Sequence, residues 1–277
     1  MYCAPPGAPV RQLSRLLLTS PFFSVKSGLY FVFPLAIVLL WGAVTQTGAV
    51  PAILLPSPGA VAQAFVELAA SGALAEHVLA SSARSLSGFA LASVTGIGLG
   101  LWFSRAPAAQ KSLHIVLECL RVTPPLSLVP LLILWFGIGE APKIAIVFLS
   151  GVFPIYLNTR TAFAGVDKKL LEVGASLAFT PRETFRLILL PAAMPGIFTG
   201  LRLGFGYSWR ALVGAELIAA SSGLGYLINE SGEYLKTDCV LAGIITIAVL
   251  GIAADKLLAK VLKALMPLVT GAAAQRG

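Results

Sequence analysis

The sequence predicts an all-α protein, a polytopic membrane bundle of about six transmembrane helices, and three observations predict it. Hydrophobic residues fill 57% of the 277 positions and charged ones 12%, more apolar sequence than a soluble core uses. Those residues gather into runs long enough to cross a bilayer. The 20 Lys and Arg against 12 Asp and Glu concentrate in alternate short loops, the pattern that membrane topology imposes. A net charge of +8 spread over one face would suggest nucleic acid; this clustering assigns the charge to topology and argues against nucleic-acid binding.

The elements follow in order. Met1 to Ser24 holds Pro5, Pro6 and Pro9 but no clean apolar core before a small-residue cleavage site, so residues 1–28 are expected as a cytoplasmic segment and the first span as an uncleaved anchor. The spans are expected at roughly Leu29 to Thr45, Leu86 to Phe103, Val122 to Ile138, Ile144 to Phe163, Ile197 to Ala220 and Cys239 to Leu258. They form a single transmembrane domain over residues 29–266, with a short tail at 267–277. Arg11, Arg15 and Lys26 precede the first span, Arg105 and Lys111 follow the second, and Arg160, Lys168, Lys169, Arg182 and Arg186 lie between the fourth and fifth. Lys260, Lys263 and Arg276 follow the sixth. All fall on one side if both termini are cytoplasmic. The opposite loops, Gln46 to His77, Gly139 to Pro142 and Ser221 to Asp238, carry far fewer basic residues.

The most structured loop runs from Asp167 to Pro191, within residues 165–195, and reads as two short helices. Leu170, Val173, Gly174 and Leu177 fall on one face of the first, and Lys169, Glu172 and Ser176 on another. Thr180 is placed to cap the second, with Pro181 at its first position and Glu183 completing a Thr-x-x-Glu capping box. Phe185, Ile188 and Leu189 form its apolar stripe opposite Arg182, Glu183 and Arg186, and Pro191 is expected to end it. A polar face of this kind is suited to docking a partner.

Within the spans, Gly196, Gly200 and Gly204 form overlapping Gly-x-x-x-Gly units, with Gly96 and Gly100 a weaker case, for helix packing inside one subunit or for an interface between two copies. Arg202, Trp209 and Glu216 recur every seven residues on another face of the fifth span. Arg210 stands roughly 21 Å beyond Gly196, where a charge needs a partner or water. It either pairs with a carboxylate or carbonyl, or meets a translocating anion; Glu216 is an outer gate or a structural group. Glu118 and Arg121 read as a surface pair at the inner interface. Cys3, Cys119 and Cys239 are scattered and expected as small buried residues, and His77 and His114 stand apart, so no metal site is expected. Neither a phosphate-binding Gly-x-x-x-x-Gly-Lys loop nor a Gly-x-Ser-x-Gly elbow occurs, and no constellation inside the spans suggests catalysis.

The loop resembles the cytoplasmic coupling loop, the EAA motif, of permease subunits of binding-protein-dependent ABC importers. Glu172, Val173 and Gly174 stand at its first three positions, Ala178 where the motif has Gly, and Phe185, Ile188, Leu190 and Pro191 follow in register. Ala178 in a left-handed turn costs on the order of 1 kcal/mol, so the turn either has another geometry or tolerates the strain. Leu55 to Pro58, Pro124 to Pro130, Leu134 to Glu140, Gly200 to Gly204 and Glu216 to Ile228 are similar to the nitrate, sulfonate and taurine importer permeases. The resemblance implies a type I importer permease in the bacterial inner membrane, working as two identical copies. It also implies two cytoplasmic ATPases that hold ATP and Mg, an external solute-binding protein and no cofactor in this chain. The site residues implied are Glu172, Val173, Gly174, Ala178, Thr180, Pro181, Arg182, Phe185 and Pro191 for coupling, and Arg210, Trp209 and Glu216 for the pathway or gate. The solute is expected to be a sulfonate, taurine or nitrate, or alternatively a pyrimidine vitamin precursor. A self-sufficient secondary transporter would show inverted repeats and an ion-coupling site, and a membrane scaffold would use the loop for assembly alone.

Overall fold

The computed structural model describes residues 29–270, all helix and connecting turns. The expected cytoplasmic segment at 1–28 and residues 271–277 of the expected tail lie outside the described residues. The chain divides into two units at Pro58. In the first, α1 spans Leu29–Gln46, and Trp41 Nε1 donates to Pro56 O at 2.9 Å, tying the segment after the helix back to it. Most of its described side chains are exposed and apolar, as a helix facing lipid requires.

The second unit contains α2 (Pro58–Ala70), α3 (Ala73–Arg105), α4 (Pro107–Val122), a 3-10 turn (Pro125–Leu128) and α5 (Val129–Phe136). It continues with α6 (Glu140–Ala164), α7 (Lys168–Ser176), α8 (Pro181–Ala219), α9 (Leu224–Glu233) and α10 (Thr237–Thr270). The centre is α6, packed along its length against both α3 and α8. Small residues bring the three backbones together. A Cβ at Gly88, Gly96 or Gly100 of α3 would stand 2.6, 2.8 and 2.6 Å from the Cβ atoms of Val147, Ile155 and Thr159. On the other side, one at Gly196, Gly200 or Gly204 of α8 would stand 2.5, 2.8 and 2.6 Å from Ala162 Cβ, Asn158 Cβ and Ile155 Cγ1. Real Cβ atoms do not approach so closely, so both glycine series are used for packing within the chain. Gly196, Gly200 and Gly204 thus pack α8 on α6 within the chain, the helix-packing alternative.

Three expectations need correction. The span expected over Val122 to Ile138 is a pair, α4 and the 125–136 segment, bent by 90°. Pro124 is held extended (φ −61°, ψ 125°) by the Pro125 ring that follows it, so the helix cannot run through. The region expected as an outer loop at Gln46 to His77 contains α2 and the first turn of α3, which begins thirteen residues before Leu86. Nor does Pro191 end the second loop helix. Thr184–Leu189 is a π-helical turn in which Leu190 N–H bonds Phe185 O, and this wider turn accommodates the proline ring, so loop helix and span form one 39-residue rod, Pro181–Ala219. By length and hydropathy, four described helices can cross a membrane, or five with the bent pair, beside the shorter α1. About six were expected.

Candidate functional site

The loop between α6 and α8 folds as its local chemistry dictates. Asp167 caps α7, its Oδ1 accepting from Lys169 N at 2.9 Å. Thr180 Oγ1 accepts from Glu183 N at 3.3 Å, and Glu183 Oε2 accepts from Thr180 N and Oγ1 at 2.8 Å, forming the expected capping box around Pro181. Between them, Phe179 N–H bonds Gly174 O and Ala178 N–H bonds Ala175 O, both at 3.0 Å, the two bonds of a Schellman turn. Its left-handed position is Ala178, at φ 54°, so the strain of Ala in place of Gly is tolerated and the turn geometry is kept. Gly174 is buried: a Cβ there would stand 2.7 Å from Ile188 Cδ1, which seats α7 on the π turn of α8. Phe185 stacks on Phe163 at 6.1 Å, with the Arg105 guanidinium 4.5 Å from its ring centroid.

The surface this leaves differs from the sequence expectation. Glu172 and Arg182 are exposed as expected, and so is the rest of the apolar face. Leu170, Val173 and Leu177 are 46, 53 and 61% exposed, an apolar ridge with a charged edge and no cover among the described residues.

Along α8 the polar residues part company. Arg202 pairs with Asp255 of α10 at 2.7 Å. Trp209 stacks on Phe205 and lies over Gly251 of α10, where a Cβ would stand 2.7 Å from its Nε1. Arg210 is exposed and, among the described residues, has no carboxylate partner; its guanidinium lies 6.0 Å from the Tyr207 ring centroid. It faces a cavity of about 620 Å³ bounded by the end of α4, the 3-10 turn, α6 and α8. Arg121 faces the same cavity, beside Ser150, Phe153 and Pro154 in the middle of α6. The Glu118–Arg121 pair (2.6 Å) is partly exposed, as expected.

Glu216 is enclosed. Its carboxylate accepts from Arg84 Nη1 at 2.7 Å, Ser81 Oγ at 2.8 Å and Gly225 N at 3.0 Å. Arg84 also donates to both Glu140 oxygens and, at 2.6 Å, to Ser222 O. Lys143 Nζ reaches Glu140 Oε1 at 2.8 Å. His77 Nδ1 accepts from Gly223 N at 3.1 Å, so His77 is a structural acceptor. Gly223 (φ 115°) lies against Arg84 and Glu216 too closely for any Cβ. Arg84 and Lys143 did not figure in the sequence reading, and Glu140 figured only as the end of a segment carrying the resemblance. The signal for Arg84 was the polar series His77, Ser81, Arg84 at helical spacing in otherwise apolar sequence. Cys119 is exposed and Cys239 half-buried, which corrects their expected burial. Among the described residues no group of His, Cys, Asp and Glu is placed to hold a metal.

Residues 88–265 match the family model described as binding-protein-dependent transport system inner membrane component. The chain belongs to that family. The permease is 39% identical over 218 residues to the putative aliphatic sulfonates transport permease protein of Bacillus subtilis, covering 79% of each chain. It is 34% identical over 222 residues to the taurine transport system permease protein of Escherichia coli, covering 78% of the permease and 81% of that protein. It is 31% identical over 183 residues to the nitrate import permease protein of Synechocystis, covering 66% of each. In fold it matches the inward-facing MetNI methionine ABC transporter with a TM-score of 0.60 at 16% identity, covering 68% of the permease and 94% of that chain. It is an inner-membrane ABC importer permease, homologous to sulfonate, taurine and nitrate transport permeases.

Proposed function

We propose that the permease forms the translocation pathway for a small anionic solute, a sulfonate such as taurine or an oxyanion such as nitrate. The observation that carries this is its identity to permeases whose names give those solutes, over about four-fifths of its length for the sulfonate and taurine relatives. It works as one of two identical copies, with hydrolysis on two separate cytoplasmic ATPases and delivery by an external solute-binding protein. No residue of the permease is catalytic.

The α7 ridge of Leu170, Val173 and Leu177, edged by Glu172, is the surface offered to the ATPase. An amphipathic helix of this kind enters a groove on its partner, and the Ile188 contact at Gly174 transmits the partner's movement to the α8 rod. On this reading residues 165–195 and both termini lie in the cytoplasm, and the concentration of Lys and Arg in the loops on that side supports it. The enclosed Glu216 acts as a structural group and Arg210 faces the pathway.

Uptake of radiolabelled taurine, methanesulfonate, nitrate and a pyrimidine vitamin precursor by cells with and without the gene tests the reading. Loss of sulfonate or nitrate uptake alone supports it. Loss of only the pyrimidine uptake, or uptake that survives removal of the ATPase, contradicts it.

A further inference from the structure

The cavity where α4 breaks and turns towards α5 carries an unbalanced charge. Its charged lining residues are Arg121 and Arg210, and one carboxylate, Glu118, serves the pair. Arg84, Arg121 and Arg202 each hold an acidic partner at 2.7 Å or less; Arg210 has none among the described residues. The cavity therefore holds one net positive charge inside apolar walls, which concentrate its field. Ser150 and Thr123, also in the lining, donate their hydroxyl hydrogens to Ile146 O and Cys119 O at 2.8 Å, so neither offers a donor to a ligand. The side-chain donors left in the lining are the two guanidinium groups and the Tyr207 hydroxyl.

We infer that this cavity is an anion-binding station within the permease, with Arg121, Arg210 and Tyr207 as donors and Glu118 as a tethered counter-ion. The inference rests on the anionic solute proposed above. A single negative charge neutralises the surplus, and a volume of about 620 Å³ suits a small solute. When the station is empty, Glu118 holds Arg121 at 2.6 and 3.0 Å. An arriving sulfonate or oxyanion takes both guanidinium groups and displaces Glu118, whose return then speeds release. The bound state stays weak because the ligand competes with a carboxylate already in place.

The test is equilibrium binding of radiolabelled methanesulfonate, with nitrate and sulfate as further probes, to the permease–ATPase complex in lipid nanodiscs without the binding protein. Saturable binding is expected that neutral dimethyl sulfone does not compete away. Arg121→Gln and Arg210→Gln each weaken it about tenfold, the loss of one charge-assisted contact. Arg210→Lys keeps most of it, Tyr207→Phe weakens it less, and Glu118→Gln tightens it and slows dissociation. If Arg210→Gln fails to assemble, Tyr207→Phe and Glu118→Gln carry the test. No saturable binding of any of the three anions, equal competition by dimethyl sulfone, or wild-type binding in these variants overturns the station. Cells that import sulfonate while these variants bind normally would sink the station alone; cells that import no anion would sink the proposed function itself.

Discussion

Arg84 and Glu216, 132 residues apart in sequence, meet at 2.7 Å with both side chains enclosed. Through them α3, α6 and α8 are joined to α9, because the same guanidinium holds Glu140 and Ser222 and the same carboxylate holds Ser81 and Gly225 N. The Arg84 N–H groups all meet acceptors and both Glu216 oxygens accept hydrogen bonds, the condition under which an enclosed ion pair is tolerated.

Removing one partner should therefore cost more than removing both. Glu216→Gln is expected to destabilise the permease by roughly 3 kcal/mol, since the Arg84 charge is left short of an acceptor. The Arg84→Gln, Glu216→Gln double variant should lose less than the sum of the two single losses. Thermal unfolding of the four proteins in nanodiscs reads this directly, and additive losses would mean the pair is not energetically coupled.

Ala178 makes a prediction of the opposite sign. Its left-handed backbone (φ 54°) carries a penalty that glycine lacks, so Ala178→Gly should stabilise the loop by about 1 kcal/mol. Ala178→Val should destabilise it, because a β-branched residue fits that conformation worse. A melting temperature lowered by the glycine would show that the turn is not strained in the assembled protein.

The loop was legible in the sequence because its determinants are local. Thr180, Pro181 and Glu183 act within three residues, so spacing alone specified that cap; Asp167 caps α7 by an equally local bond that the sequence reading passed over. Pro191 misled because the same local rule ignores that a π turn can widen the helix before it. The small-residue spacing of Gly196, Gly200 and Gly204 showed that something packs closely there, but only the fold shows it to be α6 of the same chain. Glu216 was singled out for its seven-residue spacing with Arg202 and Trp209, yet its partner lay on another helix, beyond any periodicity. Arg121 is exposed, as it was read; what the sequence did not show is the 90° break after α4, because hydropathy does not register a bend.

Topology gives a prediction independent of energetics. Ser176, exposed at the last turn of α7, should be on the cytoplasmic side. Ser176→Cys, in a background in which Cys3, Cys119 and Cys239 are replaced, should resist an impermeant maleimide in intact cells and react once the inner membrane is opened. Efficient labelling in intact cells would reverse the orientation and remove α7 from reach of any cytoplasmic ATPase.

The most direct measurement is ATP-driven accumulation of radiolabelled methanesulfonate or nitrate in proteoliposomes holding the permease, its ATPase and its solute-binding protein, with hydrolysis measured in the same vesicles. Wild-type permease should accumulate one of these anions only when all three components and ATP are present. Glu172→Lys, which reverses the charge beside the exposed Val173 ridge, should reduce transport by about tenfold or more, the consequence of losing a specific interface contact, with the permease still inserted and folded. Accumulation without the ATPase, or full ATP-driven transport by Glu172→Lys together with a charge placed in the ridge by Val173→Asp, would contradict the assignment of this loop as the place where hydrolysis is coupled to import.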